Sequence, residues 1–170
     1  FFHDRFKNFM KEKEIRNDII ESVTLNYNID NILKIYKKTL TLNKLISKEI
    51  GKDAMFSYKR ASNIISNELK NNKIELTGSA DSGLFKNEFE KTLYKKIQEM
   101  RKDFTSIGRD DDYESILKTL SSARKEVNEF FENVIVNDED ELIKKNRLEL
   151  LQMLCKTFDN YLNFSKIESL

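Results

Sequence analysis

Proline is absent from this 170-residue chain, and glycine occurs only four times. Short strands and tight hairpins are delimited by such residues, so this sequence lacks the punctuation of a many-stranded sheet. Charged residues make up 35% of the chain, which suits solvated helix surfaces. The expected fold class is all-α, a single bundle of about seven to eight helices over residues 1–170. A chain of this length buries about 70% of the surface its unfolded form exposes, enough for one core. No run of 18 or more apolar residues is present, so no membrane span is expected.

Apolar spacing and caps divide the chain. Phe2, Phe6, Phe9 and Met10 predict a first helix over 1–13. A short second helix runs from Asp18 and ends near Asn26–Asn28. Asp30 is a good N-cap for a third helix, with Ile32, Leu33, Tyr36, Leu40 and Asn43 on one side and Gly51 at a C′ position. Asp53 is read as the cap of a fourth helix with a buried stripe of Ala54, Tyr58, Ala61, Ile65 and Leu69. Residues 71–83 form a surface loop. Leu84 to Phe104 is a long helix, Gly108 breaks the chain, and Asp110–Asp112 bring negative charge to the start of the next helix. Helices over Tyr113–Ala123 and Glu126–Val134 follow. Asp138 is read as capping a last helix whose seam is Leu148, Leu151, Cys155, Phe158 and Leu162.

Net charge is only +1, but its distribution is uneven. Residues 1–73 carry +6 and residues 74–170 carry −5. A basic half could meet phosphates, and a solvated mixed-charge surface is the plainer alternative. The one cysteine cannot make an internal disulfide, in keeping with a reducing cytosol. Phe1-Phe2-His3-Asp4 lacks an initiator Met and a cationic signal region, so the chain reads as a piece of a longer protein.

Catalytic chemistry finds no residues here. There is no glycine-rich phosphate loop, and His3 is the only histidine, too little for a His-based metal site. Cys155 lies on the last helix's seam and reads as core. The acidic run 138–141 reads as capping, and Phe130 and Phe131 as packing. Lys59, Arg60 and Asn63 share one helical face. An Arg fork and an Asn amide suit RNA base edges and phosphates. Alternatively, Arg60 bridges to an acidic helix while Asn63 caps a loop. Arg5, Lys34, Lys37, Lys38, Lys44, Lys144 and Lys145 complete the candidate phosphate contacts. Arg147 reads as a structural partner of Glu129 or Glu132.

One segment narrows the field further. Val127-Asn128-Glu129-Phe130-Phe131-Glu132-Asn133-Val134-Ile135-Val136 leads through an acidic turn to Asn146-Arg147-Leu148-Glu149-Leu150-Leu151, then Phe158 and Asn163-Phe164-Ser165-Lys166. This resembles the C-terminal end of the bacterial glycyl-tRNA synthetase beta-subunit family, with its V-D-x-F-F-D-x-V-M-V and N-R-L-x-L-L patterns. Asp4-Arg5-Phe6 resembles the family's D-R-L segment, and Ile15-Arg16-Asn17-Asp18-Ile19-Ile20 its G-x-R-x-D-V-I-D turn. Tyr58 to Ile65 resembles its K-R-x-x-N-I-L helix. Departures are Glu14 where a glycine is usual, Asn128 for Asp and Asn137 for Met. Glu14 stands where glycine would take positive φ without strain.

The resemblance implies a helical, non-catalytic anticodon-binding domain of DALR type. It further implies tRNA(Gly) as a partner, an alpha subunit in an alpha2beta2 assembly, and a cytoplasmic setting. ATP and Mg would act in the holoenzyme through the alpha subunit, with no cofactor in this chain. Glycine anticodons share two cytosines, whose readers must offer an acceptor to the exocyclic amine. A helical module that docks subunits is the alternative.

Overall fold

The computed structural model describes residues 2–24, 32–71, 74–107 and 112–168, with side chains from residue 4 onward. Helices and connecting segments make up these residues, with no strand among them. The helices are α1 (Phe2–Glu12), α2 (Asn17–Thr24), α3 (Ile32–Leu45), α4 (Glu49–Asn71), α5 (Glu88–Ile107), α6 (Tyr113–Ser121), α7 (Arg124–Asn133) and α8 (Glu141–Asp159). Short 3-10 turns cover Ser82–Leu84 and Phe164–Lys166. The expected end of the second helix, the Asp30 cap, Gly108, Asp110 and Asp111 lie outside the described residues.

Helix α8 is the centre of the bundle. Leu148, Leu150, Leu151, Leu154, Cys155 and Phe158 are all buried, a pattern too broad for a surface helix. It packs on α4 and α5, while α4 also meets α6 and α7. Apolar residues from both sides of the 71–83 loop therefore share one core. Tyr58, Phe158 and Phe164 stack within it, with ring centroids 5.2–5.9 Å apart.

Polar side chains on the first turns of α8 bind the surrounding segments. Arg147 Nε donates to Glu90 at 2.6 Å, and Nη1 donates to the Ile135 carbonyl at 2.8 Å and to Asp138 at 2.5 Å. Glu90, which is fully buried, also accepts from the Lys86 and Asn87 amides. The Asn87 side chain accepts in turn from the Glu90 amide, a capping box at the start of α5. Asn146 exchanges two hydrogen bonds with the Asp81 backbone. Glu149 gathers the amides of Thr77, Gly78 and Ser79 at 2.6–3.2 Å. Gly78 has φ +75, and a Cβ there would stand 2.7 Å from the Lys156 side chain.

Several local expectations change in detail. Arg147 is structural, but its partners are Glu90 and Asp138 rather than Glu129 or Glu132. Asp140, not Asp138, caps α8 by accepting from the Leu142 and Ile143 amides. Asp138 is drawn instead to Arg147; the Asp140 amide and then the guanidinium hold its carboxyl below the usual range. Helix α4 begins at Glu49, so Asp53 lies inside it and pairs with Arg124 at 3.3 Å. Gly51 is likewise helical rather than a C′ residue. A Cβ there would meet the Ile46 carbonyl oxygen at 2.3 Å, so glycine permits this close approach. Leu69 is exposed, and Leu84 belongs to the 3-10 turn before α5.

Helix α3 is turned from its expected face. Ile35, Thr39, Leu42 and Leu45 point inward, while Ile32, Leu33 and Leu40 are exposed. Both stripes have helical spacing. The buried one continues into Ile46 at the junction with α4 and gives α3 a face for α2, α4 and α6.

The turn after α1 carries Glu14 at φ +58. The Ile15 amide donates to the Met10 carbonyl and the Glu14 amide to that of Lys11. This is a Schellman arrangement, sealed by buried Met10 and Ile15. The chain keeps the turn that a glycine would make without strain. Glu14→Gly should raise stability by about 1 kcal/mol and the melting temperature by about 2–4 °C in a calorimetric scan. Conversely, Arg147→Met leaves Glu90 buried without its cation. It should lower urea-unfolding stability by about 3–5 kcal/mol, and adding Glu90→Leu should recover part of the loss.

Candidate nucleic-acid interface

The basic candidates fall into two groups. On α4, Lys59 and Arg60 are half-buried and Asn63 is exposed. Arg60 Nη1 donates to Asn128 Oδ1 on α7 at 3.1 Å. Its guanidinium lies 4.7 Å from the Phe131 ring centroid and 5.5 Å from that of Phe56. Arg124 covers Phe56 as well, at 3.1 Å. The α4–α7 junction is therefore a ladder of two arginines and two phenylalanines, in which each cation meets an aromatic face. Asn128 presents Arg60 with a neutral acceptor and donates from Nδ2 to Glu132 at 2.6 Å. Arg60 thus spans to α7 through an amide and rings, and Phe131 is half-buried as its platform.

The second group lies on α1 and α3. Arg5, Lys34, Lys37 and Lys44 are exposed. Helix α3 has no acidic residue of its own. Arg5 lines a groove with Phe6, Phe9, Ile32, Leu33 and Tyr36.

Burial removes two candidates from the phosphate-facing set. Lys144 is buried and pairs with Glu68 on α4 at 2.9 Å, whereas its neighbour Lys145 is exposed. Lys38 is also buried and donates to the Tyr161 carbonyl. It borders a small cavity with Leu42, Tyr113, Ile116, Leu117, Leu120 and Leu162. Burial in these apolar surroundings pushes its ammonium down to about 8. Sequence gave no hint of this, because the Lys34, Lys37, Lys38 spacing and the Lys144-Lys145 pair are the same whether one lysine turns inward or not.

The remaining chemistry is sparse. Cys155 is buried, and that burial raises its thiol pKa well above the ordinary range, with the Asp159 charge adding to the effect. The His3 side chain lies outside the described residues. Among the described residues no group of three or more His, Cys, Asp or Glu could hold a metal ion. No helix there is long and apolar enough to cross a membrane.

Residues 54–170 match the DALR anticodon binding domain family. The chain belongs to this family. Over 168 residues it is 35% identical to the glycine–tRNA ligase beta subunits of Rickettsia prowazekii (strain Madrid E) and Rickettsia typhi (strain ATCC VR-144 / Wilmington). It is 34% identical to that of Rickettsia peacockii (strain Rustic). Each match covers 98% of this chain and 24% of the relative, so the chain spans about a quarter of their length.

The DALR segment thus begins inside α4 and includes the whole Arg–Phe ladder. Phe56 and Arg124 in that ladder escaped the sequence reading. Both are unremarkable in one dimension, and only the crossing of α4 with α7 brings them to Arg60.

Lys38 gives this DALR chain a distinctive pH response. Its folded-state pKa lies below the ordinary lysine value, so folding is opposed by the charged amine. The penalty is full below about pH 8 and disappears as pH rises through the unfolded value. Lys38→Met should raise stability by about 2 kcal/mol at pH 7 and progressively less above pH 8. Denaturant midpoints measured from pH 6 to 10 check this.

Proposed function

We propose that this chain is the anticodon-recognition module of a glycine–tRNA ligase beta subunit. The observation that carries this reading is the DALR match over residues 54–170. It is joined by similarity to three such subunits along nearly the whole chain. The module's work is recognition: cationic helix faces hold the anticodon stem by its phosphates, and unstacked bases are met at their edges.

Lys59, Arg60 and Asn63 are the proposed contacts on α4. The aromatic ladder fixes the Arg60 plane before RNA arrives, which lowers the entropy lost on binding. Arg5, Lys34, Lys37, Lys44 and Lys145 supply further cationic contacts to the backbone. Lys38 and Lys144 are left out because they are buried and engaged within the fold. Glycine activation with ATP and magnesium is assigned to the alpha subunit, the proposed partner in an alpha2beta2 assembly in the cytoplasm. This chain holds the far end of the tRNA while the acceptor end is presented there.

A subunit-docking module is the second reading. Ile135 and Leu142 favour it, because both are largely exposed near the turn between α7 and α8.

Fluorescence anisotropy with the full-length beta subunit and a glycine-tRNA anticodon stem-loop separates the two. Replacing both anticodon cytosines should weaken binding by about 1–3 kcal/mol per base. Lys59→Ala should weaken wild-type and altered loops alike and lower the salt slope by about one. Equal affinity for both loops would favour docking over anticodon reading.

A further inference from the structure

Arg60 turns one nitrogen toward its own protein and leaves another edge to solvent. Nη1 donates to Asn128 Oδ1 at 3.1 Å. The guanidinium also rests against Phe131 and Phe56, 4.7 Å and 5.5 Å from their ring centroids. Nε and Nη2 make no hydrogen bond among the described residues. The buried polar side-chain atoms without a partner there are Arg124 Nη1 and Glu126 Oε2, so Nε and Nη2 of Arg60 reach solvent. Together they form the side-on fork of a guanidinium, whose parallel N–H bonds match two oxygens of one carboxylate or phosphate. Arg16 uses this same edge within the molecule: its Nε and Nη2 hold the two carboxylate oxygens of Asp18 at 3.1 and 2.6 Å.

Asn128 keeps the Arg60 fork open. Its Oδ1 faces Arg60, while its Nδ2 donates to Glu132 Oε1 at 2.6 Å. The amide therefore stands between the guanidinium and the carboxylate one turn further along α7. An aspartate at this position would pair with Arg60 directly and cancel its charge. Arg124, the other arginine of the ladder, is matched in that way by Asp53. No carboxylate pairs with Arg60 among the described residues.

This geometry selects the group that Arg60 can take. A fixed, donor-only fork suits an anion with two acceptor oxygens, and the anion that recurs along RNA is the phosphodiester. A cytosine edge also presents an amine, for which a guanidinium has no acceptor. We propose that the Nε–Nη2 edge of Arg60 holds one phosphate of the tRNA backbone. Asn128 is the positioning residue that sets this edge without neutralising it. The proposal rests on the reading of the chain as a tRNA-binding module, and it assigns Arg60 to the backbone rather than to a base.

The test uses the full-length beta subunit in its assembly. Binding of glycine tRNA, and of the same tRNA with both anticodon cytosines replaced, is measured over a salt series. Asn128→Asp should weaken both tRNAs about ten-fold and lower the salt slope by about one, with helical content unchanged. Arg60→Lys keeps the charge but loses the fork, so it should weaken both tRNAs at an unchanged slope. In an Arg60→Ala background, Asn128→Asp should add nothing further. The proposal is overturned if Asn128→Asp leaves affinity and slope at wild-type values, or if its full effect persists after Arg60→Ala. It is also overturned if these variants weaken only the tRNA that keeps its cytosines, since Arg60 would then be a base contact. Equal wild-type affinity for the two tRNAs, with the variant effects intact, would support the phosphate contact while removing the anticodon reading. A wild-type assembly that bound neither tRNA would remove both.

Discussion

The buried pair of Arg147 and Glu90 is the contact on which most of the architecture converges. Glu90 closes the first turn of α5 through the Lys86 and Asn87 amides and reaches α8 through the guanidinium. Arg147 then carries the connection to the turn at Ile135 and Asp138. A buried carboxylate is tolerable only when every lone pair is met, and here the backbone and the cation meet them together. Asn146 and Glu149 extend the same arrangement to residues 77–81. Three segments, residues 77–81, 86–90 and 135–138, are thereby set against α8 by three side chains within four positions of that helix.

That arrangement has a functional side. With the interior polar groups satisfied by α8, the cations of α1, α3 and α4 are left largely to the outer faces. Lys38 on α3 is the exception, turned inward to the Tyr161 carbonyl, and Lys144 on α8 is likewise buried against the Glu68 carboxylate. Arg60 occupies an intermediate position. It is held by two rings and an amide, contacts that orient a guanidinium without neutralising it. A rigid cationic plane of this kind is a reasonable element for a nucleic-acid surface.

Much of the fold was legible because its determinants are local. The Leu148–Leu162 seam, the Ala54–Ile65 stripe and the α5 register follow from helical spacing, and all are buried or nearly so. The all-helical class followed from the scarcity of chain breakers. What could not be read depended on partners far away in sequence. Asp138 and Asp140 are equally good caps until Arg147 claims the first. The two apolar faces of α3 are equivalent until α4 and α6 select one. The same limit applies to the candidate interface: charge pattern identified the lysines, but burial of Lys38 and Lys144 is a tertiary property. Glu14 is the opposite case, since its departure from the expected glycine marked a turn that does adopt positive φ.

The link between α2 and the segment after α8 has a bearing on how the molecule is made. Asp18 accepts from the Glu168 amide, Asn163 donates to the Ser22 carbonyl, and Lys38 reaches Tyr161. Each bond joins residues more than a hundred positions apart. On the ribosome, α2 and α3 emerge long before the segment of residues 160–168 that completes them. They must wait in an unfinished state, with polar ends still hydrated, until translation delivers it. The stretch 160–168 therefore acts as a clasp on α2 and α3, and these helices are completed only after it has been translated.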